Sequence, residues 1–352
     1  MRDRLAARVW HGDDLLAGAA RALLWPAEQL FAALGASVGA RKARAAGHTA
    51  VPTVSVGNLT VGGTGKTPMA AWFAARLRAR GFSPAVLLRG YGEDEPLVHA
   101  CLNPGVPVLV DHRRRRSGKR ALAQGATALV LDDGFQHRQM PRDIDVVLVS
   151  ADAWDGRARL LPAGPFREPL SALRRAHLVV VTRKAVSAAR ALEVADAVAI
   201  AAGRVPVAVA HLAPDHLVPW NGDRTEKLAT LRGQRIVAVC GIGAPDAFLA
   251  QVREAGAVVE AMTFPDHHTF NALDARAIVA RLADAERVVC TLKDAVKLGP
   301  IWPPDVPGLW YLSQTVIWEA GGGGVEALLD RLVPLKALIT PATPGPKTES
   351  NA

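Results

Sequence analysis

The stretch Thr60-Val61-Gly62-Gly63-Thr64-Gly65-Lys66-Thr67 constrains this chain more than any other, because it works only between a strand and a helix. Small glycines let successive backbone N–H groups curl around phosphate oxygens, Lys66 reaches the terminal phosphates, and the Thr67 hydroxyl suits Mg2+. Thr60 stands where the strict G-x-x-x-x-G-K-[ST] pattern has its first glycine, so the turn leans on Gly62 and Gly63. The β-rich run 51–57 precedes the loop, and residues 69–80 read as an amphipathic helix ending at Gly81. A ligand-free strand-to-helix turn is the alternative to a nucleoside-triphosphate loop. The order strand, loop, lysine, helix favours the nucleotide.

A chain of 352 residues with 50% apolar and 21% charged residues can bury a sizeable core and has room for two domains. Its net charge of +9 favours acidic partners: nucleic acid, anionic lipid or a phosphorylated substrate. Cys101, Cys240 and Cys290 lie far apart without C-x-x-C spacing, so neither a disulfide framework nor a zinc site is indicated, and reduced thiols are expected. Near the N-terminus, Leu15, Leu16, Ala19, Leu23, Leu24, Leu30, Phe31 and Leu34 recur at helical spacing, with Arg41, Lys42 and Arg44 downstream. Arg21 and Glu28 interrupt any run of the about 18 uncharged residues that a spanning helix needs, and Asp13 and Asp14 spoil a secretory signal. Two readings stand: a helix lying in the lipid headgroups, or one packed on the domain behind it.

Downstream of the loop, the apolar run 83–88 ends in Arg89-Gly90-Tyr91-Gly92 and then Glu93-Asp94-Glu95-Pro96. Chemistry in parallel α/β sheets gathers at the carboxyl ends of strands, which is where these residues fall. The acidic triplet also suits a solvated turn capping a helix that begins near Pro96. The strand 106–110 leads into a basic block, Arg113 to Arg116 with Lys119 and Arg120, of which one or two arginines at most point into a site. The strand 126–131 closes on Asp132-Asp133, the carboxylates that a Mg2+·triphosphate site demands after a phosphate loop. Strands at 145–149 and 177–182 flank a proline-rich loop that carries Arg167 and Glu168.

From about residue 235 a second α/β unit begins, with a strand at 236–240 and a helix at 246–256. Gly241-Ile242-Gly243 lacks the third glycine of a dinucleotide turn. Asp266, His267 and His268 share a loop without a third ligand nearby, so proton chemistry or a satisfied polar loop is favoured over metal. Thr291-Leu292-Lys293-Asp294 reads as a turn after the strand 288–290, and a last helix spans 325–333.

Taken together, Ser55-Val56-Gly57-Asn58-Leu59 with the loop and Pro68, Arg89-Gly90-Tyr91-Gly92, Asp94-Glu95-Pro96, Asp132-Asp133-Gly134-Phe135-Gln136-His137, Leu161-Pro162-Ala163-Gly164-Pro165, Phe264-Pro265-Asp266-His267-His268 and Lys293-Asp294-Ala295-Val296-Lys297 closely resemble the tetraacyldisaccharide 4'-kinase family of Gram-negative bacteria. The resemblance runs in consistent order from about residue 10 to 335. It implies a P-loop NTPase-like, mostly parallel sheet flanked by helices, with a smaller C-terminal α/β domain and an N-terminal amphipathic helix. The expected division is 1–48 for the membrane-associated helix region, 49–225 for the nucleotide domain, 226–335 for the C-terminal domain and 336–352 for a disordered tail.

The resemblance also implies ATP and Mg2+ as cofactors and an acylated glucosamine disaccharide 1-phosphate as acceptor, at the cytoplasmic face of the inner membrane. It implies attachment to an anionic membrane surface, with neither nucleic acid nor an obligate protein partner. Carried over by motif, Thr60, Val61, Gly62, Gly63, Thr64, Gly65, Lys66 and Thr67 hold the nucleotide. Thr67, Asp132 and Asp133 organise the metal, and Asp94 is the base, working with His267 and with Lys66 on the phosphates. Arg89, Tyr91, Glu95, Arg114, His137, Arg167 and Glu168 fall on substrate positions. Two departures stand out: Glu93 alone separates Gly92 from Asp94, where the family usually carries a longer segment, and Leu292 replaces a usual glutamate. A membrane-associated nucleotide-switch ATPase or GTPase, or an ATP-dependent ligase of small acids, are the rival readings. Nucleic-acid binding is weaker because the basic run lacks interleaved aromatic residues.

Overall fold

A computed structural model of the chain describes residues 2–44, 50–90, 92, 94–222, 224–306 and 308–332. Tyr91, Glu93 and the expected tail at 336–352 lie outside the described residues. Two helices come first, α1 (Arg2–His11) and α2 (Leu15–Arg44). Strands and helices then alternate through β1 (Thr53–Asn58), α3 (Lys66–Ala79), β2 (Pro84–Leu88), α4 (Asp94–Leu102), β3 (Val108–Val110), α5 (Arg114–Ala123) and β4 (Ala128–Asp132). Next come β5 (Ile144–Ser150), β6 (Leu178–Arg183), α6 (Ala188–Ala202), the long β7 (Val207–Pro219) and the short β8 (Glu226–Lys227). The remainder is β9 (Arg235–Cys240), α7 (Pro245–Glu254), β10 (Val258–Thr263), α8 (Ala272–Ala280), β11 (Arg287–Thr291), α9 (Leu292–Leu298), β12 (Leu309–Ala320) and α10 (Gly322–Asp330).

Strands covered on both faces are apolar throughout, and period-two alternation then sorts their side chains between two cores. Val54, Val86, Leu88, Val130, Val146 and Leu148 face one core with Met69, Phe73 and Leu77 of α3. Their neighbours Leu87, Leu129 and Leu131 face α5, and Val147 and Val179 face α6. The ladder runs β3-β2-β4-β1-β5-β6-β7-β12-β11-β9-β10, so the phosphate loop follows a central strand.

All pairs from β3 to β7 are parallel, as are those from β12 to β10, and the two sets meet at the antiparallel pair β7–β12. The register of that pair matters for function. The first part of β7 pairs with β6 (Val207 to His211), whereas its last residues pair with the start of β12 (Leu217 with Leu312, Pro219 with Trp310). The start of β12 in turn pairs with β11, and its later residues lie beside 209–214. The ribbon therefore leaves the first sheet in the direction of its strand carboxyl ends and enters a second sheet whose strands run back toward it. The carboxyl ends of both sheets face one cleft.

Neither ribbon strand stands out by sequence pattern, because each is half-buried and interrupted by Pro214 and Asp215 or by Ser313 and Gln314. Three local expectations shift. Asp94 and Glu95 are no turn before a helix at Pro96: α4 begins at Asp94. The expected turn 291–294 is the start of α9, with the Thr291 hydroxyl accepting from the Asp294 N–H as its N-cap. The last helix starts at Gly322 and returns to α3, where Val325 and Leu329 are fully buried beside Phe73 and Leu77, and Arg80 pairs with Glu326 and Asp330 at 2.7 Å each.

The N-terminal helices are anchored by one buried carboxylate. Glu28 accepts the Leu160 N–H at 2.7 Å and pairs with Arg159 at 3.2 Å, while the Trp10 indole donates to the Pro162 carbonyl at 3.0 Å. The opposite surface of α2 leaves Leu15 93%, Leu16 70% and Leu23 83% exposed. Among the described residues no helix is long and apolar enough to cross a membrane.

The return of α10 gives a stability prediction. Leu329→Ala empties a fully buried site between α10 and α3 and should lower unfolding free energy in urea by about 2–5 kcal/mol. A loss below about 1 kcal/mol, the range of exposed substitutions, would contradict that packing.

Candidate active site

The loop after β1 is fixed from outside as well as by its own sequence. The Val61 N–H donates to the Pro165 carbonyl at 2.9 Å, and the Thr182 hydroxyl to the Thr64 carbonyl at 3.0 Å. Gly65 has φ 85°, a left-handed conformation that glycine adopts without strain, and a Cβ there would lie 2.2 Å from Leu212 Cδ1. Helix α3 begins at Lys66, so its positive end points at the space enclosed by the loop.

Across that space lies the turn Asp132-Asp133. The Arg114 guanidinium, 1% exposed, donates to both backbone carbonyls of the turn, at 3.0 Å for Asp133 and in a short contact for Asp132. Burial lowers the Arg114 pKa to about 10, with Asp132 and Asp133 opposing, so the group keeps its charge at neutral pH. The Asp133 carboxylate sits 3.0 Å from Arg167 and 3.8 Å from Lys66 Nζ. Burial works against its charge, but the Arg167 hydrogen bond and the Lys66 ammonium outweigh it and hold the pKa below the usual value. Asp133 has φ 50°, rare for a residue with a side chain and found where surroundings over-determine the backbone. The Asp132 carboxylate is 4% exposed and bonded at 2.9 Å to His99 Nε2.

The cleft's other side comes from α4, the loop after β10 and α9. Lys293 Nζ lies 3.8 Å from Asp94 Oδ2, 3.6 Å from Asp266 Oδ1 and 3.3 Å from His267 Nε2. An ammonium only donates, so His267 Nε2 is the accepting nitrogen in this arrangement. His267 also has positive φ, 58°. Asp294, fully buried, accepts from the Gly241 N–H at 3.1 Å and the Thr291 hydroxyl at 2.6 Å. Lys297 donates to the His268 carbonyl at 3.0 Å, and His268 bonds Asp274 at 3.0 Å. His268 is thus a satisfied loop residue, whereas His267 faces the cleft.

One cavity of about 610 Å³ gathers these groups: Thr60, Val61, Gly62, Gly63, Thr64, Gly65, Lys66, Thr67, Arg89, Glu95, Arg114, Asp132, Asp133, Arg167 and His267 all line it. Asp94 joins through Lys293. His137 and Glu168 do not line it; Glu168 pairs with Arg175 at 2.9 Å. Tyr91 lies outside the described residues. Three residues that the sequence did not single out also belong here. Lys293 stood in a recognised motif without a role, and His99 reaches the site only through its bond to Asp132. Lys184, whose pKa is lowered by burial and then by Lys66 against the pull of Asp152, lines the cavity with its Nζ 3.4 Å from the Gly63 carbonyl.

The family described as Tetraacyldisaccharide-1-P 4'-kinase matches residues 20–98 and 93–333, two segments that overlap at 93–98, around Asp94. The tetraacyldisaccharide 4'-kinase of Anaeromyxobacter sp. (strain Fw109-5) is 43% identical over 326 residues, covering 83% of this chain and 87% of its own length. That of Xanthomonas euvesicatoria pv. vesicatoria (strain 85-10) is 34% identical over 332 residues, covering 87% and 92%. Among solved structures, LpxK from Aquifex aeolicus in complex with ATP superposes with a TM-score of 0.69 at 25% identity, covering 88% of this chain and 98% of that one.

Glu95 supplies a pH test. Burial, followed by the charges of Asp132 and Asp94, raises its pKa above the ordinary 4.5. The folded state therefore keeps a proton that the unfolded chain has released, and this group's contribution to stability falls as pH rises from 4.5 through the folded value. Glu95→Gln should raise the Tm at neutral pH and flatten the Tm profile above pH 4.5. An unchanged or lower neutral Tm would contradict the burial.

Proposed function

The chain belongs to the tetraacyldisaccharide 4'-kinase family, and from that premise we propose that it transfers the γ-phosphate of ATP to the 4'-hydroxyl of a tetraacylated glucosamine disaccharide 1-phosphate, giving lipid IVA in lipid A biosynthesis. In this reading residues 49–225 form the nucleotide lobe and 226–335 the lobe that closes over it, its last helix returning to α3. The observation that carries the proposal is the pairing of Asp94 with the Lys293–His267 contact across the cavity from the phosphate loop. A nucleotide switch needs a water-positioning group and a partner; a kinase needs a base for an acceptor hydroxyl.

Phosphoryl transfer asks the protein mainly for positioning and for charge that matches the developing transition state. The loop amides and Lys66 hold the β and γ oxygens, with Lys184 a second ammonium near the loop. The hydroxyl of Thr67 and the carboxylates of Asp132 and Asp133 are hard oxygen donors beside Lys66, a set that fits Mg2+ and would hold it. When bound, the ion neutralises charge on the phosphate oxygens. Asp94 accepts the sugar hydroxyl proton as charge develops, and His267 orients the pair from the opposite lobe. Arg89, Arg114, Arg167 and Glu95 surround the space left for the acceptor, and Arg114 acts there through the backbone of the acidic turn.

Asp94→Asn should lower kcat for labelled phosphate transfer by about 10² to 10⁴-fold, the usual scale of general-base contributions, while ATP affinity stays near the native value. Transfer at the native rate would remove Asp94 from the role of base.

Peripheral attachment to the cytoplasmic face of the inner membrane completes the proposal, supported by the exposed Leu15, Leu16 and Leu23 and the basic end of α2. Co-sedimentation with anionic vesicles should fall sharply in Leu16→Asp/Leu23→Asp with the fold intact. Undiminished vesicle binding would contradict it.

A further inference from the structure

The steps above leave one buried polar ring without a role. His99 lies five residues after Asp94 on α4, facing inward with Asp94 and Val98, and is 1% exposed. Its Nε2 lies 2.9 Å from Asp132 Oδ2, and Nδ1 has no hydrogen-bond partner among the described residues. A carboxylate accepts, so Nε2 is the donor. Burying an imidazole costs free energy unless a hydrogen bond compensates, and an aliphatic side chain would fill the same site more cheaply. What the histidine adds is the bond to Asp132.

We propose that His99 is a positioning residue for the metal–nucleotide complex: it commits Oδ2 of Asp132, leaves Oδ1 as the oxygen available to the cation, and ties that carboxylate through α4 to the acceptor base. The proposal rests on the assignment of Asp132 to the metal. It also makes α4 a mechanical link, because the same nine-residue helix carries Asp94 at its first position. A displacement of α4 moves the base and the metal carboxylate together.

Outer-shell partners of metal ligands typically contribute about 10- to 100-fold in metal affinity or activity. The test uses the full-length protein and Mn2+ as the probe, with binding of Mn2+ in the presence of ATP read by electron paramagnetic resonance. His99→Leu removes the donor while filling the space and should weaken Mn2+ binding about 10- to 100-fold, with metal-free ATP binding unchanged. His99→Gln, which keeps an N–H donor at similar reach, should restore most of the loss. In steady state kcat falls in His99→Leu and the KM for the acylated disaccharide does not.

Native-like Mn2+ binding in a folded His99→Leu protein would overturn the proposal, as would a His99→Gln protein as defective as His99→Leu. If His99→Leu does not fold, His99→Met, whose flexible chain adapts to irregular space, takes its place with the same expected results. A wild-type protein that binds Mn2+ and ATP yet phosphorylates no disaccharide would count against the proposed function and leave the His99 comparison intact.

Discussion

The two-residue turn Asp132-Asp133 is the point on which the site depends. Its backbone is pinned by a buried arginine, its first carboxylate by a buried histidine, and its second by Arg167 with Lys66 nearby. Each partner comes from a different element: α5, α4, the proline-rich loop and α3. The positive charges of Arg114, Arg167 and Lys66 offset two carboxylates that burial alone would not tolerate. This concentration of charge faces the phosphate loop across the cavity, and the left-handed Asp133 is held in place by the same contacts.

A second constraint is the β7–β12 ribbon. A parallel α/β sheet presents its chemistry at one edge only, so two such sheets share one cleft only when those edges are brought together. The offset register of the ribbon does this, and the cleft walls include Tyr311, Leu312, Ser313 and Gln314 from the ribbon itself. At its middle, the Ser313 hydroxyl accepts from the His216 N–H at 2.9 Å and donates to the His216 carbonyl at 3.0 Å, which satisfies the ladder where its register shifts. Lys293 then bridges the two sides, reaching Asp94 from one sheet and Asp266 and His267 from the other.

Much of this was legible in the sequence wherever function is local. The phosphate loop declares itself through glycines, lysine and the strand-to-helix order, and the acidic turn through an apolar run closing on two aspartates. What was not legible depends on long-range geometry. Among four adjoining arginines the family resemblance points to Arg114, but charge pattern alone does not say that its side chain is swallowed beneath the acidic turn, because helical phase relative to a distant strand decides it. The ribbon strands carry mixed burial and interrupting polar residues, so neither a period of two nor a continuous apolar run marks them. Lys293 and His99 acquire meaning only when α9 and α4 are set beside residues 26 and 33 positions away.

The central claim is that the cleft delivers phosphate to a sugar hydroxyl and not to water. The most direct measurement is phosphorus–proton correlation NMR on the glycolipid recovered after turnover of the acylated disaccharide 1-phosphate with ATP in detergent. A new phosphomonoester coupled to the 4' proton, formed in proportion to the ATP consumed, is the predicted result. Inorganic phosphate with an unchanged glycolipid would contradict it.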